Sequence, residues 1–172
     1  MKRDFLRLLK ELDEDELREE LKTLYDRFAV VREYYKLELS TNTKAVLDRY
    51  QKEIRKAFFP SRGYRMNRRA RSASNKVIKS FAEVSIHQRD LITLHFYRVM
   101  VMVEAIGHYY VESEAFYSST ESYFDKACQL AQKEMMLDTF QPVAEAIAEA
   151  FAETGGWGDY SLREIYDQYW IE

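Results

Sequence analysis

Only five glycines and two prolines occur in these 172 residues. A β-sandwich or barrel reverses direction every eight to twelve residues or so and needs turn formers at each reversal. A chain this poor in them has to build itself from helices. The periodicity agrees, because apolar residues recur at three- and four-residue spacing through most of the sequence.

The first stripe is Phe5, Leu8, Leu9 and Leu12. Asp13 with Glu16 three residues on has the form of a capping box and opens a second helix bearing Leu17, Leu21, Leu24, Tyr25 and Phe28. A break near Phe28 predicts a third helix with Val31, Tyr34, Tyr35 and Leu39, and the polar run from Ser40 to Thr43 can cap a fourth with Leu47, Tyr50, Ile54, Ala57 and Phe58. Pro60 and Gly63 punctuate the chain, and Ser61 to Arg71 reads as an exposed loop. A helix then starts at Ser72 or Ser74, with Val77, Ile78 and Phe81 facing inward. Ser85 caps a long apolar helix from about Ile86 to Tyr110, and further helices span roughly Ser113 to Glu134 and Leu137 to Glu153. In the last of these Phe140, Val143, Ile147 and Phe151 form the apolar side and Glu145, Glu149 and Glu153 the wet one. Gly155 to Gly158 stops it, with Trp157 as a packed anchor, and a short final helix carries Leu162, Ile165, Tyr166, Tyr169 and Trp170. The expectation is an all-α fold of eight to nine helices, an irregular bundle or a short stack of antiparallel helical hairpins.

Length suits one domain over residues 1–172, with a possible sub-division into residues 1–60, a basic loop 61–71, and 72–172. The most apolar stretch, Leu91 to Val103, is thirteen residues long and contains His95 and Arg98, too short and too polar to span a bilayer. The N-terminal sequence lacks the apolar core and small-residue cleavage site of a secretory signal. Cys128 is the only cysteine, so no intramolecular disulfide can form, which fits a reducing compartment.

Three segments resemble a family of small bacterial all-helical proteins of unknown function: DELREELKTLYDRFAVVREYYKLELS, then KAFFPSRGY followed by basic residues, and GWGDYSLREIYDQYW. The resemblance covers most of the chain. It implies an all-helical fold and a bacterial cytoplasmic setting, and it brings no catalytic signature.

Charge is segregated. Residues 52–79 carry ten basic side chains and one acidic, whereas residues 104–172 carry three basic and fourteen acidic. Arg62, Arg65, Arg68, Arg69 and Arg71 fall in ten residues, with Lys76 and Lys79 close behind. Guanidinium groups pair bidentately with phosphates or carboxylates, so these seven residues form the candidate binding site for an acidic protein or a nucleic acid. Tyr64 could add a stacking face. The alternatives are a solvated loop, or pairing with the acidic half of the same chain or of a second copy in a homo-oligomer. An overall pI of about 5.8 argues against a dedicated nucleic-acid binder.

Catalytic chemistry finds little support. Glu104, His108 and Glu112 align at four-residue spacing, but neither paired Glu-x-x-His motifs nor His-Glu-x-x-His occurs, so no metal site is expected. Cys128 lies in an apolar helical context that does nothing to activate a thiol. No Gly-x-Ser-x-Gly elbow occurs, and Asp159-Tyr160-Ser161 after the glycine cluster breaks the P-loop pattern. No catalytic residues and no cofactor are assigned. An enzyme would have to assemble its site from scattered groups such as His95, His108, Glu104 and nearby tyrosines. The Tyr-rich faces around Tyr109, Tyr110, Tyr117 and Tyr123 suit core and rim, or an oligomer interface.

Overall fold

The structure, a computed structural model, describes residues 1–39, 43–61, 65–85, 87–155 and 159–171. All regular structure among them is α-helical: α1 (Lys2–Glu11), α2 (Glu14–Arg27), α3 (Ala29–Glu38), α4 (Lys44–Phe58), α5 (Ala70–Val84), α6 (Gln88–Tyr109), α7 (Glu114–Lys133), α8 (Leu137–Glu153) and α9 (Leu162–Trp170). The chain divides into two compact units, Met1–Thr41 and Asn42–Glu172.

In the first unit the Asp13–Glu16 capping box forms as its sequence requires. Asp13 Oδ1 accepts from the Glu16 N–H at 2.8 Å, and Glu16 Oε2 accepts from the Asp13 N–H at 2.9 Å. Phe28 adopts extended backbone and separates α2 from α3, which pack on each other. Arg32 ties the corner by donating to the Tyr25 and Asp26 carbonyls. The apolar stripes of α1 and α2, however, bury no residue at all, and Leu37 on α3 is the one buried side chain among the described residues of this unit.

The second unit is built around α6. Its buried residues, from Ile92 to Ile106, cover all of the helix except one stripe carrying Met100, Glu104 and Gly107, the pattern of a helix with neighbours on most sides. It packs against α4, α5, α7 and α8, while α9 closes on α7 and α8. Phe96 anchors the centre, stacked on Phe140 of α8 at 5.4 Å and edge-on to Phe124 of α7 at 6.1 Å. Within α9 Tyr166 stacks on Trp170, and the Trp170 indole N–H ties the helix to the Leu137 carbonyl of α8. Cys128 is fully buried, and burial, aided by the nearby Asp125 charge, pushes its thiol far up, so it packs as a small apolar residue.

Several boundaries and faces differ from the sequence reading. Val46 rather than Leu47 is buried on α4, and Val143 on α8 is exposed. Helix α6 begins at Gln88 behind His87, and Ser85 helps by accepting the His87 N–H on its hydroxyl. Helix α5 starts at Ala70, earlier than Ser72 or Ser74, because the Asn67 carbonyl accepts from the Ala70 N–H and its side-chain oxygen from the Arg69 N–H. Ser74 is inside the helix, donating to the Arg71 carbonyl. Ser40, Thr41, Asn42, Ile86 and the Gly156–Gly158 segment with Trp157 lie outside the described residues.

Among the described residues, three helix ends use left-handed backbone. After α8 the position is Gly155, at φ 82°, which glycine adopts without steric cost. After α6 and α7 it is Tyr110 (φ 48°) and Met135 (φ 56°), each followed by a residue whose N–H bonds back to the last turn. A side chain in that conformation costs about 1 kcal/mol. Tyr110 and Met135 are 87% and 93% exposed, so little packing offsets the strain. Tyr110→Gly and Met135→Gly should therefore each stabilise the protein by up to about 1 kcal/mol, read as a higher denaturant midpoint. Destabilisation by both would show that contacts of the two side chains outweigh the backbone strain.

Candidate functional site

The basic segment splits into two groups of different chemistry. Arg55 and Arg71 are consumed by the fold. Arg55 on α4 makes a bidentate pair with Glu104 on α6, both N···O distances 2.6 Å, and its guanidinium lies over the Phe59 ring. The direct hydrogen bond raises the Arg55 guanidinium and holds the Glu104 carboxyl below its ordinary value. Arg71, expected in an exposed loop, is instead in the first turn of α5. There it donates to the Ala115 carbonyl and the Ser119 hydroxyl of α7, so it cannot also serve as a free anion contact.

Arg65, Arg68 and Arg69 are exposed, as are Lys76 and Lys79 on α5 and Lys52 and Lys56 on α4. Among the described residues no carboxylate pairs with any of these seven. Arg62 and Tyr64 lie outside the described residues. Arg69, Lys76 and Lys79 share one face of α5 by helical spacing. Because α4 and α5 pack together and are joined by residues 59–69, the C-terminal end of one and the N-terminal end of the other meet at one corner.

The electrostatics of the two helix ends are opposite. Lys56 in the last turn of α4 sits where a helix favours a cation. Arg68 and Arg69 sit at the start of α5, where the helix already presents positive charge, and its first turn contains no acidic residue. The fold gains nothing from cations there; each costs it a few tenths of a kcal/mol. Asn67, which shapes this start, escaped the sequence reading, although an Asn three residues ahead of a helix was a usable signal.

The scattered groups considered for catalysis are not brought together. His95 is buried within the α6 core, whereas His108 is exposed near the end of the helix, its ring against Phe59 at 5.6 Å and Tyr109 at 4.6 Å. Thirteen residues separate them, about 20 Å along a helix. Glu104 is occupied by Arg55. Among the described residues no cluster of His, Cys, Asp and Glu could hold a metal ion, and no helix is long and apolar enough to cross a membrane.

His95 belongs to a different arrangement. Arg98, 1% exposed, donates to Asn75 Oδ1, lies face-on over Tyr123 with its guanidinium carbon 3.5 Å from the ring centroid, and approaches His95 Nδ1 at 3.4 Å. Asn75 in turn donates to the Tyr123 hydroxyl at 2.8 Å. A guanidinium can only donate, so Nδ1 of His95 accepts and the imidazole proton sits on Nε2. Burial, reinforced by the Arg98 and Lys126 charges, pushes His95 down to about 3. Burial likewise pulls Arg98 down to about 10, still protonated at neutral pH. Arg98 Nε has no partner among the described residues.

Fold and site together define an all-helical protein with a basic, unpaired helix start and no convergent catalytic set among the described residues. The chain belongs to a family of unknown function, DUF6155, whose family profile matches residues 1–169. Neither a curated protein nor a solved structure gives a significant match.

Proposed function

We propose that the protein is a non-enzymatic helical interaction module whose α4–α5 corner receives an anionic partner, an acidic protein segment or a nucleic-acid backbone. The contact residues are Arg65, Arg68, Arg69, Lys76 and Lys79, with Arg62 adjoining them in sequence. The observation that carries the reading is the placement of exposed, unpaired arginines at the positive end of α5. A bound carboxylate or phosphate would offset the repulsion between those side chains and the helix, and the free N–H groups of the first turn add to its attraction. The setting that suits this module is the bacterial cytoplasm, where a single buried thiol faces no oxidising pressure.

Fluorescence anisotropy with labelled duplex DNA, single-stranded RNA and an oligo-glutamate peptide provides the test. At low salt at least one probe should bind. If the duplex is the partner and five cations engage it, the log–log slope of affinity against salt should be about −4 to −5. The triple variant Arg65→Ser, Arg68→Ser, Arg69→Ser should weaken binding at least about tenfold while leaving the melting temperature within a degree or two. Arg71→Ser should do the reverse, lowering stability with little effect on affinity. An absence of salt-sensitive binding to all three probes would remove the basis of the reading.

A further inference from the structure

A second surface, separate from the basic corner, lies between α6 and α8. It is an open groove of about 680 Å³ walled by Met100, Val103 and Gly107 on one side and Val143, Ala146 and Ala150 on the other. Pro142 also lines it, and Glu104 and Glu153 border it. Its floor is wide because the side chains there are small. Gly107 is not required by the chain's own packing, since a Cβ at that position would meet only the Thr154 methyl at an ordinary 3.9 Å. Glycine inside a helix costs roughly 0.5–1 kcal/mol relative to alanine, and nothing in the packing of this unit offsets that cost. Close approach of another surface would.

The N-terminal helix has the complementary deficit. At ten residues α1 is shorter than an isolated helix that holds in water, and it buries no residue. Phe5, Leu8, Leu9 and Leu12 stand at i, i+3, i+4 and i+7, the anchor spacing of a helix laid in a groove. Phe5 and Leu8 are 54% and 47% exposed. Charge matches in sign: α1 carries Lys2, Arg3, Arg7 and Lys10 against Asp4 and Glu11, whereas the groove is bordered by Glu153 and by Glu104 and is lined by no basic residue.

From these observations we infer that the α6–α8 groove is the receptor for α1 of a second copy of this chain, so that two copies exchange their N-terminal helices. Each copy then offers one helix and accepts one, which closes a two-fold dimer with two equivalent contacts. The anchors bury their apolar surface against Val103, Val143 and Ala146, and the basic face of α1 stands beside Glu153 at the groove's border.

The mass of the full chain in solution, measured by light scattering across the micromolar range, tests the exchange. The wild-type chain should weigh twice its 20.6 kDa. Leu8→Asp on the helix and Ala146→Arg in the groove, both at exposed positions, should each weaken the dimer at least about tenfold. An equimolar mixture of the two variants should recover dimer partially, because one intact helix and one intact groove remain. Gly107→Leu serves as a second groove variant that fills the site while improving helix propensity, so loss of the dimer there cannot be ascribed to unfolding. Replacing Arg65, Arg68 and Arg69 by Ser should leave the mass unchanged, which keeps this result separate from the fate of the basic corner. A monomeric wild-type chain overturns the inference, including the case in which Leu8→Asp and Ala146→Arg lower its melting temperature alike, the sign of a helix docked within one chain. A dimer indifferent to all groove variants overturns it equally.

Discussion

Between pH 6.5 and pH 3 the Asn42–Glu172 unit should lose about 4 kcal/mol of stability through His95 alone, and His95→Gln should remove that loss. Above pH 6.5 the imidazole is neutral in both the folded and unfolded chains, and folding releases no proton. Below it the unfolded chain takes up a proton that the folded chain refuses until about pH 3, since the ring is buried and Arg98 and Lys126 repel a second positive charge. The unfolded state therefore binds more protons throughout this window, and stability falls as pH falls. Gln retains an acceptor for Arg98 without titrating. Urea midpoints at half-unit pH intervals would show the wild-type and variant curves converging above pH 6.5 and separating below it. Parallel curves would mean that His95 is charged in the folded protein.

The second large effect is at Arg98. Truncation by Arg98→Ala removes a large, fully buried side chain and strips the donor from Asn75, which should cost about 3–5 kcal/mol. Arg98→Met, similar in volume and uncharged, strips the same donor but leaves no cavity, and should cost about 1–2 kcal/mol. A buried cation with no carboxylate partner among the described residues has paid desolvation against an amide, an aromatic face and a neutral imidazole, and an apolar replacement escapes that cost. Chemical denaturation of the two variants separates volume from charge. Equal destabilisation by Met and Ala would show that the guanidinium contributes net stability through Tyr123 and Asn75.

What could be read in the sequence was local. The bounds of α8, the Asp13–Glu16 capping box and the apolar stripe of α4 from Tyr50 to Phe58 depend on residues three or four apart, and the structure reproduces them. The Arg98 network was invisible because its members come from three helices, with Asn75 and Tyr123 more than twenty residues away on either side. His95 and Arg98 registered only as polar interruptions in an apolar run. Arg71 was assigned to the loop because its partners, Ala115 and Ser119, are equally remote. The start of α5 differs because Ser72 and Ser74 look like caps, whereas the helix has no side-chain cap and begins after a turn in which Asn67 Oδ1 accepts from the Arg69 N–H. Periodicity in α1 and α2 correctly showed amphipathic helices, but an apolar stripe does not say which surface will cover it. For the basic corner, composition located the arginines. Only coordinates distinguish the pair engaged by Glu104 and α7 from the three left exposed.

The lone thiol gives this chain an internal clock. Cys128 lies on the core side of α7, fully enclosed, and no other cysteine competes for reagent. A thiol-modifying probe can reach it only when α7 parts from its neighbours, so the labelling rate measures how often the second unit opens, free of any contribution from fraying in α1 or α2. Every substitution considered above can be timed against that one sulfur, without a label being introduced.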